Sequence, residues 1–168
     1  MQKNILLLCF LFSFIKMKAA SDSLTVYVFL SEGCPICQNQ TYSLRELYTQ
    51  FGNQKVGFVG VFPNLEFSTT ETMEKFKKKY RLSFPLKRDE NQDLTQNLGA
   101  TITPQVIVIQ ENTHSVVYKG KIDNSYERIG KRRPVITEFY LRNALTEILA
   151  GKAVTLSETS PVGCFIIK

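Results

Sequence analysis

The stretch Leu24-Thr25-Val26-Tyr27-Val28-Phe29-Leu30-Ser31-Glu32-Gly33-Cys34-Pro35-Ile36-Cys37 passes from a buried strand into a helix, with two cysteines at the junction. Residues 24–30 are rich in β-branched and aromatic side chains and apolar on both faces, which suits a central strand covered on both sides. Beyond the cysteines, Leu44, Leu47, Tyr48 and Phe51 recur at one-face helical spacing, and Gly52-Asn53 ends the run. Two cysteines separated by two residues close a small disulfide only where the backbone turns sharply. A strand-to-helix junction supplies that turn and aims Cys34 at the unpaired amides of the helix start, which stabilise a thiolate. Pro35 fits the first helical turn, where its missing N–H would have had no partner. Cys34 is then expected to be the exposed nucleophile. Cys37, one turn further in, is the resolving thiol that breaks the mixed disulfide.

The same spacing also serves half a zinc site or a structural disulfide. Zinc wants a second ligand pair. The only histidine, His114, falls in an expected hairpin turn far along the chain, so no metal and no cofactor is expected.

Outward from the junction, residues 55–62 (Lys-Val-Gly-Phe-Val-Gly-Val-Phe) form a second buried strand, which makes a parallel crossover unit. Ser68-Thr69-Thr70-Glu71 fits a capping box opening a helix that buries Met73, Phe76 and Tyr80. Phe84-Pro85-Leu86 is a short extended piece, and residues 89–98 form a small helix stopped by Gly99. Residues 106–109 and 115–119 flank the polar turn Glu111-Asn112-Thr113-His114 as an antiparallel hairpin. Thr137 is expected to cap a last helix carrying Leu141, Ala144, Leu145, Ile148 and Leu149, with Gly151 ending it. The remainder, 152–168, has no periodicity and closes on Val162-Gly163-Cys164-Phe165-Ile166-Ile167.

The order β-α-β, helical insertion, β-β-α describes an α/β fold: a central mixed sheet of four to five strands flanked by helices. The hairpin lies antiparallel beside the first strand, so Pro104 comes to face Cys34. A cis Thr103–Pro104 bond there would expose the Thr103 backbone for β-like pairing with a substrate strand. It would also keep metal ions from gathering on the sulfurs. Pro35, Thr103 and Pro104 are therefore candidate substrate-binding residues.

At 168 residues the chain fits one domain with a real core. Lys3, then a largely apolar run over residues 5–15, then Ala19-Ala20-Ser21 follow the order of a secretory signal. The run is too short for a bilayer, which takes about 20 residues. The expected organisation is a signal peptide over 1–20, a domain over 21–151 and a tail, 152–168, packed on or near it. Export leads to the periplasm or the exterior; an uncleaved segment would instead anchor the protein in the membrane, facing outward. Loss of Lys3, Lys16 and Lys18 lowers the net charge from +6 to +3, which gives no argument for nucleic acid. The cluster Lys75, Lys77, Lys78, Lys79 and Arg81 reads as a solvated helix end.

Cys34, Cys37 and Cys164 remain after cleavage, one pair and a third thiol. Cys164 reads as a buried inert thiol, a relay exchanging with Cys34 or Cys37, or a site of intermolecular pairing or metal binding. Asp123, Tyr126 and Arg132 read as the lining of a substrate groove or as a salt-bridged loop.

Cys34-Pro35-Ile36-Cys37, the insertion from Phe84-Pro85-Leu86-Lys87-Arg88-Asp89 to Leu98-Gly99-Ala100, and Thr103-Pro104-Gln105-Val106 resemble the redoxin branch of the thioredoxin-like superfamily. That branch holds thiol–disulfide oxidoreductases of cytochrome maturation and the alkyl hydroperoxide reductase/thiol-specific antioxidant group. The resemblance covers about residues 24–168. The hairpin end with Tyr118-Lys119-Gly120-Lys121-Ile122-Asp123-Asn124, the Lys131-Arg132-Arg133-Pro134 loop and Val162-Gly163-Cys164 resemble one exported bacterial subset. The resemblance implies a thioredoxin-like fold with a helical insertion before the cis-proline strand. It further implies exchange with protein thiols and disulfides and an upstream redox partner.

Departures bear on the alternatives. Gly33 stands where thioredoxins usually have Trp, and residues 24–30 hold no buried acid to assist the second thiol. Peroxiredoxins place Pro and Thr at the positions of Tyr27 and Ser31, which weighs against a peroxidase. Copper-binding assembly chaperones use Cys-x-x-x-Cys with a downstream His, one residue wider than here. The expected function is an extracytoplasmic dithiol–disulfide oxidoreductase. The alternatives are a peroxiredoxin-like thiol peroxidase and a copper metallochaperone or redox-inert binding module.

Overall fold

The computed structural model describes residues 23–167; the expected signal segment, 1–20, lies outside them. The elements run β1 (Leu24–Phe29), α1 (Pro35–Phe51), β2 (Val56–Phe62), α2 (Thr70–Tyr80), β3 (Leu86–Arg88), α3 (Asp93–Leu98), β4 (Ile102–Thr103), β5 (Gln105–Gln110), β6 (Ser115–Gly120), β7 (Tyr126–Arg128), β8 (Lys131–Arg132), α4 (Tyr140–Leu149) and β9 (Cys164–Phe165). The main sheet has the order β3-β2-β1-β5-β6. β1–β2 and β2–β3 are parallel, whereas β5 is antiparallel to both β1 and β6. This is the expected mixed sheet, and the piece after Pro85 supplies its fifth strand.

Alternation along the strands sorts their side chains between two cores. Val26, Val28, Phe58, Val106 and Val108 join Leu44, Leu47, Phe51, Met73, Phe76, Leu141 and Leu145 from α1, α2 and α4. Phe29, Val61, Ile107 and Ile109 join Leu94 and Leu98 of α3 and Ile166 of the tail. A sheet with two apolar faces needs cover on both sides, and α3 with the end of the tail covers the second.

Three boundaries differ from the sequence expectation, each because a distant side chain intervenes. α2 is capped by Thr69: its hydroxyl accepts from Thr72 N (3.1 Å) while Thr69 N donates to Thr72 Oγ1 (2.8 Å). Ser68 does not cap because its hydroxyl donates to Glu32 Oε2 (2.6 Å). α3 begins at Asp93 rather than Asp89. The buried Asp89 carboxylate instead accepts from Leu94 N (3.2 Å), Thr95 N (2.9 Å) and Thr95 Oγ1 (2.7 Å), which caps the helix from outside. α4 begins at Tyr140 and Thr137 does not cap it. Asn124 Oδ1 accepts from Thr137 N (3.0 Å) and Glu138 N (3.2 Å) and holds that segment out of the helix.

The tail is ordered by backbone pairing rather than periodicity. Lys119 N donates to Ser157 O (2.9 Å) and Thr159 N to Lys119 O (3.0 Å), along the outer edge of β6. Gly120 has φ 143°, and a Cβ there would overlap the Thr159 backbone. Further on, β9 lies antiparallel to β4, with Cys164 opposite Thr103.

Candidate active site

Cys34 is the N-cap of α1, Pro35 follows at N1, and no side chain or acidic residue caps the first turn. The partial positive charge of the helix start is left to the Cys34 sulfur. Pro35 is exposed between two buried cysteines, because Ile36 and Cys37 turn inward. The expectation of an exposed Cys34 is corrected: it is 1% exposed and Cys37 is 0% exposed. Thr103 of β4 and Cys164 of β9 both lie against the Cys34 sulfur.

The Thr103–Pro104 peptide is cis. Gln105 pairs with Phe29 at the end of β1, which brings Thr103 and Pro104 over the dithiol. Cys34 Sγ lies 3.3 Å from Thr103 O, the acceptor when the thiol is protonated. Gln105, which sequence reasoning did not single out, shapes this loop: its Oε1 accepts from Thr101 N (3.0 Å) and Ile102 N (3.4 Å).

The third thiol is also here. Cys164 Sγ stands 2.6 Å from Cys34 Sγ and donates toward it. The Cys37 thiol bonds to the same sulfur and is the main cause that lowers the Cys34 pKa to about 5. Burial opposes this, while the Cys164 thiol and the amides of Cys37 and Cys164 add to it. Cys37 is pushed well above the ordinary thiol range by burial first, then by the bond to Cys34 and its charge. Cys164 is pushed up to about 12 by burial and then by the same neighbour. One thiolate is thus favoured among three sulfurs.

Two polar clusters hold the loops around the dithiol. Glu32 accepts from Ser68 Oγ (2.6 Å) and Thr72 Oγ1 (2.8 Å), tying the turn before Cys34 to the start of α2. Asp123 accepts from Gln40 Nε2 (2.8 Å), Ser43 Oγ (2.8 Å) and Ser125 N (2.9 Å), tying α1 to the loop after β6. Asp123 is buried and hydrogen-bonded rather than ion-paired, so it is no part of a salt-bridged loop. The ion pairs there join Glu127 to Lys131 (2.6 Å) and Arg133 (3.3 Å). Tyr126 accepts from Asn39 Nδ2 (2.8 Å) and, with Ile36, Pro104, Asp123 and Val162, lines a narrow cleft beside the site; Arg132 pairs with Tyr126 across β7–β8 but is exposed and does not line the cleft. His114 sits in the β5–β6 turn, whose neighbour Gln110 pairs with Leu24 at the far end of β1. Among the described residues no group of three His, Cys, Asp or Glu side chains is placed to hold a metal ion.

Solved structures place this arrangement among known folds. An uncharacterized conserved protein from Geobacillus kaustophilus is 27% identical, with a TM-score of 0.78, covering 88% of this chain and 78% of its own. A hypothetical protein from Sinorhizobium meliloti is 25% identical, with a TM-score of 0.75, covering 87% of this chain and 80% of its own. A secreted Mycobacterium tuberculosis disulfide oxidoreductase shares the fold at 19% identity and a TM-score of 0.51, covering 77% and 81% of the two chains. Among curated proteins none matches. The AhpC/TSA family model matches residues 11–122, a span that takes in the dithiol, the cis-proline and the whole main sheet but stops short of Cys164. On that match, and with the thioredoxin-like fold beneath it, the chain belongs to the AhpC/TSA family of redoxins.

Proposed function

We propose that the chain is a dithiol–disulfide oxidoreductase acting on protein thiols and disulfides outside the cytoplasm, with Cys34 as nucleophile and Cys37 as resolving thiol. The observation that carries this reading is the opposite character of two thiols on one helical turn: Cys34 lowered to about 5, Cys37 raised and fully buried. Cys34 attacks a substrate disulfide as the thiolate and one substrate sulfur leaves. Forming that mixed disulfide cancels the charge on Cys34, and with it two of the causes that hold the proton on Cys37. Cys37 then attacks Cys34 Sγ and releases the second substrate sulfur. Pro35 is the exposed residue of the Cys34–Cys37 turn, and Thr103 with Pro104 offers a backbone edge to an extended substrate that displaces β9.

Export rests on the signal-like order of residues 1–20 and agrees with the secreted character of the Mycobacterium tuberculosis neighbour. No helix among the described residues is long and apolar enough to cross a membrane. An upstream redox partner would reset the dithiol.

Insulin reduction and reactivation of scrambled ribonuclease test the reading. Cys34→Ser is expected to abolish both, and full activity in that variant would remove Cys34 from the role. The couple's reduction potential gives the direction of flow: about −120 mV marks an oxidant and about −270 mV a reductant. Hydrogen peroxide consumption is expected to be no faster than that of an ordinary thiol, because Tyr27 and Ser31 replace the residues a peroxidase uses.

A further inference from the structure

The two-cysteine mechanism leaves Cys164 without a part, yet the fold brings its sulfur to 2.6 Å from the nucleophile. A disulfide bond is about 2.05 Å long, so a small movement would join the two. The approach is built by backbone. β9 pairs antiparallel with β4, Thr103 opposite Cys164. Thr103 Oγ1 donates to Cys164 O (3.4 Å), and Ile166 N donates to Thr101 O (3.0 Å). Gly163 presses on Thr103 so closely that a Cβ would overlap the Thr103 carbonyl. The tail therefore lies on the edge where a substrate strand would lie, with a cysteine where the substrate cysteine would be. Exposure follows the same order. Cys34 is covered at 1% exposure, Cys164 is half-buried, and its neighbour Phe165 is 76% exposed. A protein partner meets the tail before it meets Cys34.

We propose that Cys164 is a third redox thiol, which exchanges with Cys37 for Cys34 while the tail strand holds the substrate's place on Thr103. The proposal rests on Cys34 being the nucleophile of the function proposed above. In the exchange, the Cys164 thiolate attacks Cys34 Sγ of a Cys34–Cys37 disulfide. The Cys34–Cys164 bond forms as Cys34–Cys37 breaks, and Cys37 leaves as a thiolate and takes up the proton that Cys164 gave. One disulfide exists before and after, so no external oxidant is needed. A partner thiolate then attacks Cys164 Sγ and expels Cys34, a favourable leaving group because its thiolate is stabilised. If the partner is a dithiol, its second thiolate attacks the partner sulfur held on Cys164. That step releases the partner disulfide and returns Cys164 as a thiol after protonation. Two electrons have passed from partner to protein.

Disulfide mapping of the whole chain tests this. The fully reduced protein is treated with one equivalent of diamide, quenched with N-ethylmaleimide, digested without reduction and sequenced by mass spectrometry. Two species are expected, Cys34–Cys37 and a Cys34–Cys164 link carrying an alkylated Cys37. Cys37→Ser should form Cys34–Cys164 at a rate independent of protein concentration. Gly163→Val, by pushing the tail off Thr103, should cut the Cys34–Cys164 yield at least tenfold while Cys34–Cys37 still forms. Only Cys34–Cys37 in the unmodified sequence, only intermolecular dimers in Cys37→Ser, or an unchanged Cys34–Cys164 yield in Gly163→Val would each overturn the proposal. Loss of the nucleophile assignment shows separately, as insulin reduction surviving Cys34→Ser.

Discussion

Acidifying from about pH 7 to about pH 5 slows an ordinary cysteine about 100-fold, because only the thiolate reacts and its pKa lies near 8.5. Cys34 is expected to slow only about twofold, since a thiol lowered to about 5 is still half ionised there. The height of the curve is a different matter. Lowering a thiol from 9.0 to about 5 raises its thiolate fraction at neutral pH about 100-fold. The same change costs each thiolate roughly 40- to 100-fold in nucleophilicity, on a Brønsted slope of about 0.4–0.5. The two nearly cancel, so the shape of the profile carries the information and not the rate at pH 7. The sign follows from the lowered pKa: reactivity is complete above about pH 6 and is lost as pH falls through about 5. Iodoacetamide trapping between about pH 4 and 9, with mass spectrometry of the Cys34 peptide, measures this. Because the Cys37 thiol is the largest cause of the lowering, Cys37→Ala should move the midpoint upward toward the free value, and Cys37→Ser less so. A midpoint near 8.5 in the unmodified chain, or no movement in Cys37→Ala, would refute the account of thiolate stabilisation.

Phe58 is 2% exposed and meets the rings of Tyr48 at 5.6 Å and Phe84 at 6.0 Å. Phe58→Ala should therefore cost about 3–5 kcal/mol in urea unfolding, and a loss below about 1 would contradict close packing there. Asp89→Ala strands three donors at the start of α3 and should cost about 1–3 kcal/mol; Asp89→Asn, which keeps acceptor capacity, should cost less. Gly120→Ala puts a side chain at φ 143° against Thr159, so amide exchange at Lys119 and Thr159 should speed up while β1 and β5 stay protected. Unchanged exchange at those two amides would mean the tail is not held as described.

The main sheet was readable because its strands are buried runs whose meaning is local. The dithiol was readable too, since its turn, Pro35 and its two cysteines lie within four residues. What sequence could not supply depends on partners far along the chain. Ser68 loses the cap of α2 to Thr69 because Glu32, 36 residues earlier, takes its hydroxyl. Thr137 loses the cap of α4 because Asn124 holds its amide. The burial of Cys34 depends on a residue 130 positions away, in a tail with no period to reveal it. The one local hint was Gly163, a residue that permits close approach without saying to what.

The path of the tail explains how Cys34 can be covered without being locked. β6 ends the sheet, and an open edge invites pairing with other chains. Residues 157–159 close that edge through Lys119, with Gly120 admitting Thr159. Beyond them the contact over the dithiol is only two residues long, Cys164–Phe165 on Ile102–Thr103. Its ladder bonds are of the backbone kind, which an incoming extended peptide replaces in kind, while the bonds of Thr103 Oγ1 to Cys164 O, Gln92 Nε2 to Ile167 O and Ile167 N to Asn64 Oδ1 are the side-chain bonds that lifting gives up. In the proposed exchange β9 lifts while 157–159 stay paired with Lys119, so the sheet edge remains covered. Little apolar surface is uncovered as β9 lifts: Phe165 and Ile167 are already exposed, and the side chains that leave the core are Ile166 and the partly buried Cys164 and Val162.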